Sequence, residues 1–79
     1  MKIAVRYFAA LREQRGLSSE MLETNAVTPE ALYEELRSKH SFRLVDSQVR
    51  YAVNGEYVGE GLPLQEGDEV VFVPPVAGG

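Results

Sequence analysis

Val49-Arg50-Tyr51-Ala52-Val53-Asn54-Gly55-Glu56-Tyr57-Val58 is the stretch on which the fold turns. Asn54-Gly55 is a strong signal for a two-residue hairpin turn, because both central residues of that turn need positive φ. Such a turn pairs Val53 with Glu56, Ala52 with Tyr57 and Tyr51 with Val58. The pleat then places Val49, Tyr51, Val53 and Val58 on one face, and Arg50, Ala52 and Tyr57 on the other. The segment therefore predicts a hairpin with one apolar face.

C-terminal to the hairpin, Leu62-Pro63-Leu64 reads as a connector and Glu66-Gly67-Asp68 as a turn. Glu69 to Val73 predicts a last strand, with Val70 and Phe72 inward and Val71 and Val73 outward. N-terminal to the hairpin, Thr28-Pro29-Glu30 marks a helix start. Threonine caps, proline suits the first helical position and glutamate complements the dipole. Leu32 and Leu36, with Tyr33 beside them, form a stripe that faces a core, and the helix is expected to end near Lys39-His40. Ser19 to Thr24 predicts a strand of weak alternation. Ala9 to Arg15 predicts a short helix closed by Gly16. Lys2 to Phe8 predicts the first strand, with Ile3, Val5 and Tyr7 inward and Phe8 outward beside Arg6.

The order is strand, short helix, strand, long helix, hairpin, connector, strand. One mixed sheet with one main helix packed on one face is an α+β roll. With the first and last strands central and parallel, it is the β-grasp (ubiquitin-like) arrangement. Residues 1–73 are expected to form the domain and residues 74–79 an extended tail.

At 79 residues, 44% hydrophobic and 25% charged, the chain suits one folded domain with a small core. It has no cysteine, so no disulfide supports that core and no side-chain thiolate serves as nucleophile or persulfide carrier. One histidine and no thiol argue against a transition-metal site, and no cofactor is expected to bind. The formal net charge of −4 disfavours nucleic acid and suits a basic protein partner. Met1-Lys2 runs directly into Ile3-Ala4-Val5, which does not resemble a secretory leader, and no apolar run approaches membrane-spanning length. A cytoplasmic protein is the expectation.

Beyond the last strand the chain reads Pro74-Pro75-Val76-Ala77-Gly78-Gly79. Two residues without an N–H end the sheet ladder and favour an extended exit. The six steps from Val73 to Gly79 span roughly 20 Å when extended. The side chains shrink toward Gly79, a shape suited to threading into another protein's active site. A terminal glycine carboxylate is accessible but a poor acyl electrophile. It must first be activated, for example as an acyl-adenylate made from ATP, before a sulfur nucleophile converts it to a thiocarboxylate. Gly78 keeps that approach open.

Four stretches carry a resemblance: Tyr7-Phe8-Ala9-Ala10-Leu11-Arg12-Glu13, Ala52-Val53-Asn54-Gly55, Leu64 with Gly67-Asp68-Glu69-Val70, and Phe72-Val73-Pro74-Pro75-Val76-Ala77-Gly78-Gly79. Over nearly its whole length the chain resembles the ubiquitin-like sulfur carriers, on the branch of the molybdopterin synthase small subunits. Ser38 to Gln48 matches least. The resemblance implies no catalysis by the chain alone. An adenylyltransferase similar to ubiquitin-activating enzymes adenylates Gly79, spending ATP. A sulfurtransferase supplies the sulfur. The tail, Pro74 to Ala77 included, then enters the large subunit, where the thiocarboxylate donates sulfur to cyclic pyranopterin monophosphate. A heterotetramer of two small and two large subunits is implied.

The pleat adds a docking expectation. Phe8, Tyr57, Val71 and Val73 lie on the sheet face away from the helix, with Arg6 and Arg50 near them, and an uncovered apolar patch marks an interface. His40 is read as an exposed helix-end residue, and Glu66, Asp68 and Glu69 as turn and solubility residues. Two other functions compete. One is a carrier for the thiamine pathway, or a protein modifier, with the same chemistry at Gly79 and a different acceptor. The other is a β-grasp interaction module without covalent chemistry.

Overall fold

The computed structural model describes residues 1–75. Its order is β1 (Lys2–Tyr7), α1 (Ala9–Arg15), β2 (Ser19–Glu23), α2 (Pro29–His40), a 3-10 turn (Asp46–Gln48), β3 (Arg50–Val53), β4 (Glu56–Val58) and β5 (Glu69–Val73). The strands form one mixed sheet in the order β2-β1-β5-β3-β4. β1 and β5 run parallel near its centre, with Val5 level with Val70 and Tyr7 level with Phe72. The predicted β-grasp roll is borne out.

Local chemistry accounts for the boundaries. Asn54 (φ 52) and Gly55 (φ 87) take the left-handed conformations that the turn demands. The hairpin register is Tyr51 with Val58, Ala52 with Tyr57 and Val53 with Glu56, as the turn predicts. Thr28 accepts the Ala31 N–H at 3.2 Å, and α2 follows from Pro29. Gly16 closes α1 at φ 82, donating its N–H to the Arg12 carbonyl.

The inner face of the sheet meets α2 through Ile3, Val5, Val70 and Phe72 against Leu32, Tyr33 and Leu36, all of them buried. Aromatic rings hold its centre. Tyr33 meets Phe72 edge-on at 5.1 Å, and Tyr51 meets Phe72 edge-on at 5.9 Å. Each such pair contributes about 0.5–1.5 kcal/mol beyond area burial.

Two expectations are corrected. β1 stops at Tyr7 rather than Phe8, because the Phe8 carbonyl turns to accept the N–H groups of Leu11 and Arg12 at the head of α1. His40 does end α2, but it is half-buried rather than exposed, since its ring lies 5.8 Å from that of Phe42. Residues 38–48, where the resemblance is weakest, end α2 at a left-handed Ser41 (φ 56) and then deliver Phe42 to the core at 3% exposure. Phe42 stacks on Tyr33 at 5.8 Å and meets Tyr7 edge-on at 5.9 Å.

Candidate functional site

The site has two parts, an exit point and an outer sheet face. β5 is the middle strand, paired on one side with β1 and on the other with β3. It ends at Val73, which pairs with Arg50, and Pro74 and Pro75 follow outside any strand or helix. Proline cannot donate to either neighbour, so the ladder stops where the sequence says. Pro74 and Pro75 therefore leave from the middle strand of the sheet. Val76, Ala77, Gly78 and Gly79 lie outside the described residues.

The outer face carries the side chains that the pleat sends away from α2. Arg6, Val71, Ala52 and Tyr57 stand level with one another across β1, β5, β3 and β4. Val73 and Arg50 form the neighbouring rung. Phe8 is 42% exposed and Tyr57 60%, whereas Val71 and Val73 are half-buried by their neighbours. Each exposed ring lies against a cation: the Arg6 guanidinium is 5.6 Å from the Phe8 ring centre, and that of Arg50 is 4.4 Å from Tyr57. Such pairing holds a flat aromatic surface in place while keeping it wet. The structure thus places Tyr57, Val71 and Val73 on the face away from α2, with Phe8 just past the end of β1 and its ring beside Arg6 of that face.

Beneath this face, polar ties hold the elements in register. The Tyr7 hydroxyl donates to Glu20 at 2.6 Å, and Arg15 donates to both Glu20 oxygens at 2.8 Å. One carboxylate therefore binds β2 to β1 and α1. Burial, reinforced by the Glu20 charge, pushes the Tyr7 hydroxyl above its ordinary range. The Arg15 hydrogen bonds hold Glu20 below the usual carboxylate range. An inward carboxylate also explains the weak apolar alternation of β2. Pattern reading missed this tie, although a glutamate on the inward phase of a strand was its visible trace.

A second tie joins the two turns. Asn54 Nδ2 donates to Asp68 Oδ1 at 2.9 Å, and Asn54 Oδ1 accepts the Glu69 N–H at 2.9 Å. Asp68 Oδ2 accepts the Gln65 N–H at 2.8 Å, and both Glu66 oxygens accept the Lys2 N–H. Asp68 and Glu66 are turn residues, as expected, and they also anchor β5 and β1. Among the described residues, no three His, Asp or Glu side chains are arranged to hold a metal ion. No helix there is long and apolar enough to cross a membrane.

A β-grasp domain with a double-proline exit from its central strand defines the class: a ubiquitin-like carrier. A model of the ThiS family matches residues 5–79, and the chain belongs to that family. It is 35% identical to the human protein named molybdopterin synthase sulfur carrier subunit, over 99% of this chain and 94% of that one. It is 36% identical to the protein of the same name from Escherichia coli strain K12, over 98% and 99%. Among solved structures it is similar to one of a complex between subunits 1 and 2 of the molybdopterin-converting factor from Helicobacter pylori. The match has a TM-score of 0.71 and 25% identity and covers all of both chains. The resemblance read from the tail and the β1–α1 segment is borne out.

Proposed function

We propose that this chain is the sulfur carrier for molybdenum cofactor biosynthesis and works through its own terminus, Gly79. The carrying observation is likeness along nearly the whole chain to proteins named molybdopterin synthase sulfur carrier subunit. Two features of the chain support the chemistry. The double proline directs the chain away from the sheet, and the absence of cysteine leaves the terminus to bear the sulfur.

An adenylyltransferase joins the Gly79 carboxylate to AMP, releasing pyrophosphate from ATP. A persulfide on a sulfurtransferase attacks the acyl carbon and expels AMP. A thiol then cleaves the resulting acyl disulfide, leaving the Gly79 thiocarboxylate. Inside the large subunit of a heterotetramer the sulfur passes to cyclic pyranopterin monophosphate, and water restores the carboxylate. Gly78 and Ala77 keep the threaded segment narrow, and Pro74, Pro75 and Val76 set its direction. The chain binds no cofactor and catalyses nothing alone, and it acts in the cytoplasm. Phe8, Tyr57, Val71 and Val73 form the surface that meets the large subunit.

Intact mass spectrometry of protein from cells tests the terminal chemistry. A fraction about 16 Da heavier, located in C-terminal fragments, is expected from oxygen replaced by sulfur. The shift must not reside in Met1 or Met21, whose oxidation gives nearly the same mass. Deleting Gly79, or adding one residue after it, should abolish cofactor synthesis. Retained synthesis would show that the domain acts as a binding module instead.

A further inference from the structure

A cleft of about 250 Å³ opens at the β4 edge of the sheet, between β4, the 3-10 turn and the first turn of α2. Glu30, Asp46, Tyr51, Tyr57 and Glu60 are among its walls. Two buried polar atoms there, Glu30 Oε2 and the Tyr51 hydroxyl, have no partner among the described residues. Tyr51 is only 7% exposed. Its ring meets Phe72 edge-on, and its hydroxyl lies where the charges of Asp46 and Glu30 join burial in raising its pKa. Glu30 stands in the first turn of α2, where negative charge complements the helix dipole. Its Oε1 accepts the Gly61 N–H at 2.6 Å, which fixes the carboxylate and leaves Oε2 to another donor.

The charge in the cleft is unbalanced. Glu30, Asp46 and Glu60 face one cation, Arg50, whose guanidinium is held over the Tyr57 ring. A buried carboxylate oxygen left unpaired calls for a donor, and a buried hydroxyl left unpaired calls for an acceptor, a donor or both. The carboxylates do not converge as a metal site. A positively charged group with several N–H donors fits the surplus of negative charge better. Arg50 and Tyr57 belong to this cleft and also to the outer sheet face. The two surfaces are continuous around the β4 edge.

We infer that the cleft receives the cationic head of a lysine or arginine side chain from the protein docked on the outer sheet face, with Glu30 Oε2 and the Tyr51 hydroxyl as its acceptors. This inference rests on the docking surface proposed above. The chain's net charge of −4 favours approach by such a basic partner.

The test uses the full chain and its own large subunit, with complex affinity measured by calorimetry at low and high salt. Glu30→Gln keeps an acceptor for Gly61 and removes the charge. It should weaken binding about tenfold or more and flatten the salt dependence, with the melting temperature little changed. Tyr51→Phe keeps the ring and should weaken binding severalfold. Phe8→Asp serves as the separate check on the docking face. If Phe8→Asp weakens binding while Glu30→Gln and Tyr51→Phe do not, the cleft holds only water and the inference is overturned alone. If Phe8→Asp also leaves affinity unchanged, or no complex forms, the docking face falls with it. Should Glu30→Gln prove unstable, Tyr51→Phe decides: unchanged affinity and an unchanged salt slope overturn the inference.

Discussion

Asn54 stands at the tip of the hairpin and holds it to the last strand, so its replacement separates conformation from contact. Alanine there removes both side-chain hydrogen bonds, to Asp68 and from the Glu69 N–H, each 2.9 Å long. These bonds are exposed, so each contributes about 0.5–1 kcal/mol. Alanine must also hold φ near the observed 52°, which costs about 1 kcal/mol. Asn54→Ala should therefore destabilise the domain by about 2–3 kcal/mol. Asn54→Gly loses the bonds but not the conformation, so it should cost about 1–2 kcal/mol. Asp68→Ala should be nearly silent in the Asn54→Gly background with respect to the shared bond, giving a coupling of about 0.5–1 kcal/mol. Urea unfolding followed by far-ultraviolet circular dichroism measures all five proteins, the parent, the three single variants and the double variant, since the chain has no tryptophan. If alanine and glycine prove equal, the left-handed turn carries no strain. If both lie within about 0.5 kcal/mol of the parent, the tie between the turns contributes nothing.

Phe42→Ala should destabilise by about 3–5 kcal/mol, because a nearly fully buried ring leaves a cavity against Tyr7 and Tyr33; the same urea titration reads it. Alkaline pH should weaken the fold. Burial raises Tyr7 and Tyr51 and pushes Tyr33 up to about 12, so these folded tyrosines keep their protons while unfolded ones ionise above about 10. Stability should be level below about pH 10 and fall above it, and a Tyr33→Phe variant should fall less steeply. In acid the sign reverses for Glu20. Its pKa is depressed by Arg15, so its contribution is present above the unfolded carboxylate range and lost as pH falls through the folded value. Melting temperatures between pH 6 and pH 2 should show that loss, and Glu20→Gln should flatten it. On the outer face, Val71→Asp should weaken binding to the large subunit at least tenfold with an unchanged circular dichroism spectrum, because its half-buried methyls sit at the middle of the proposed contact.

The predicted elements follow from rules that act over a few residues. Asn54-Gly55, Thr28-Pro29 and Gly16 each constrain φ and ψ locally, and period-two alternation assigns a face without knowledge of the partner strand. That is why the hairpin register and the inward set Ile3, Val5, Tyr7, Val70 and Phe72 were readable. The same logic identified Phe8, Tyr57, Val71 and Val73 as outward. Phe42 was not readable, because a single phenylalanine after a helix end has no period and is buried only by how the loop folds back.

Chemistry that belongs to a residue type was likewise open to inspection: no cysteine, a double proline, and glycines after it. Those features suffice to suggest a carrier whose terminus is its working group. Contacts between distant residues depend instead on chain closure, which no local rule encodes. Glu20 binding Tyr7 and Arg15, Asn54 binding Asp68, and Glu30 and Tyr51 lining one cleft are of this kind. They join residues that the β1–β2 and β3–β5 pairings and the return of α2 bring together. The chemistry proposed for the tail rests on single residue types, so it could be framed in one dimension. The surfaces and ties around it required three, because each is shared between strands and helices that meet only in the folded chain.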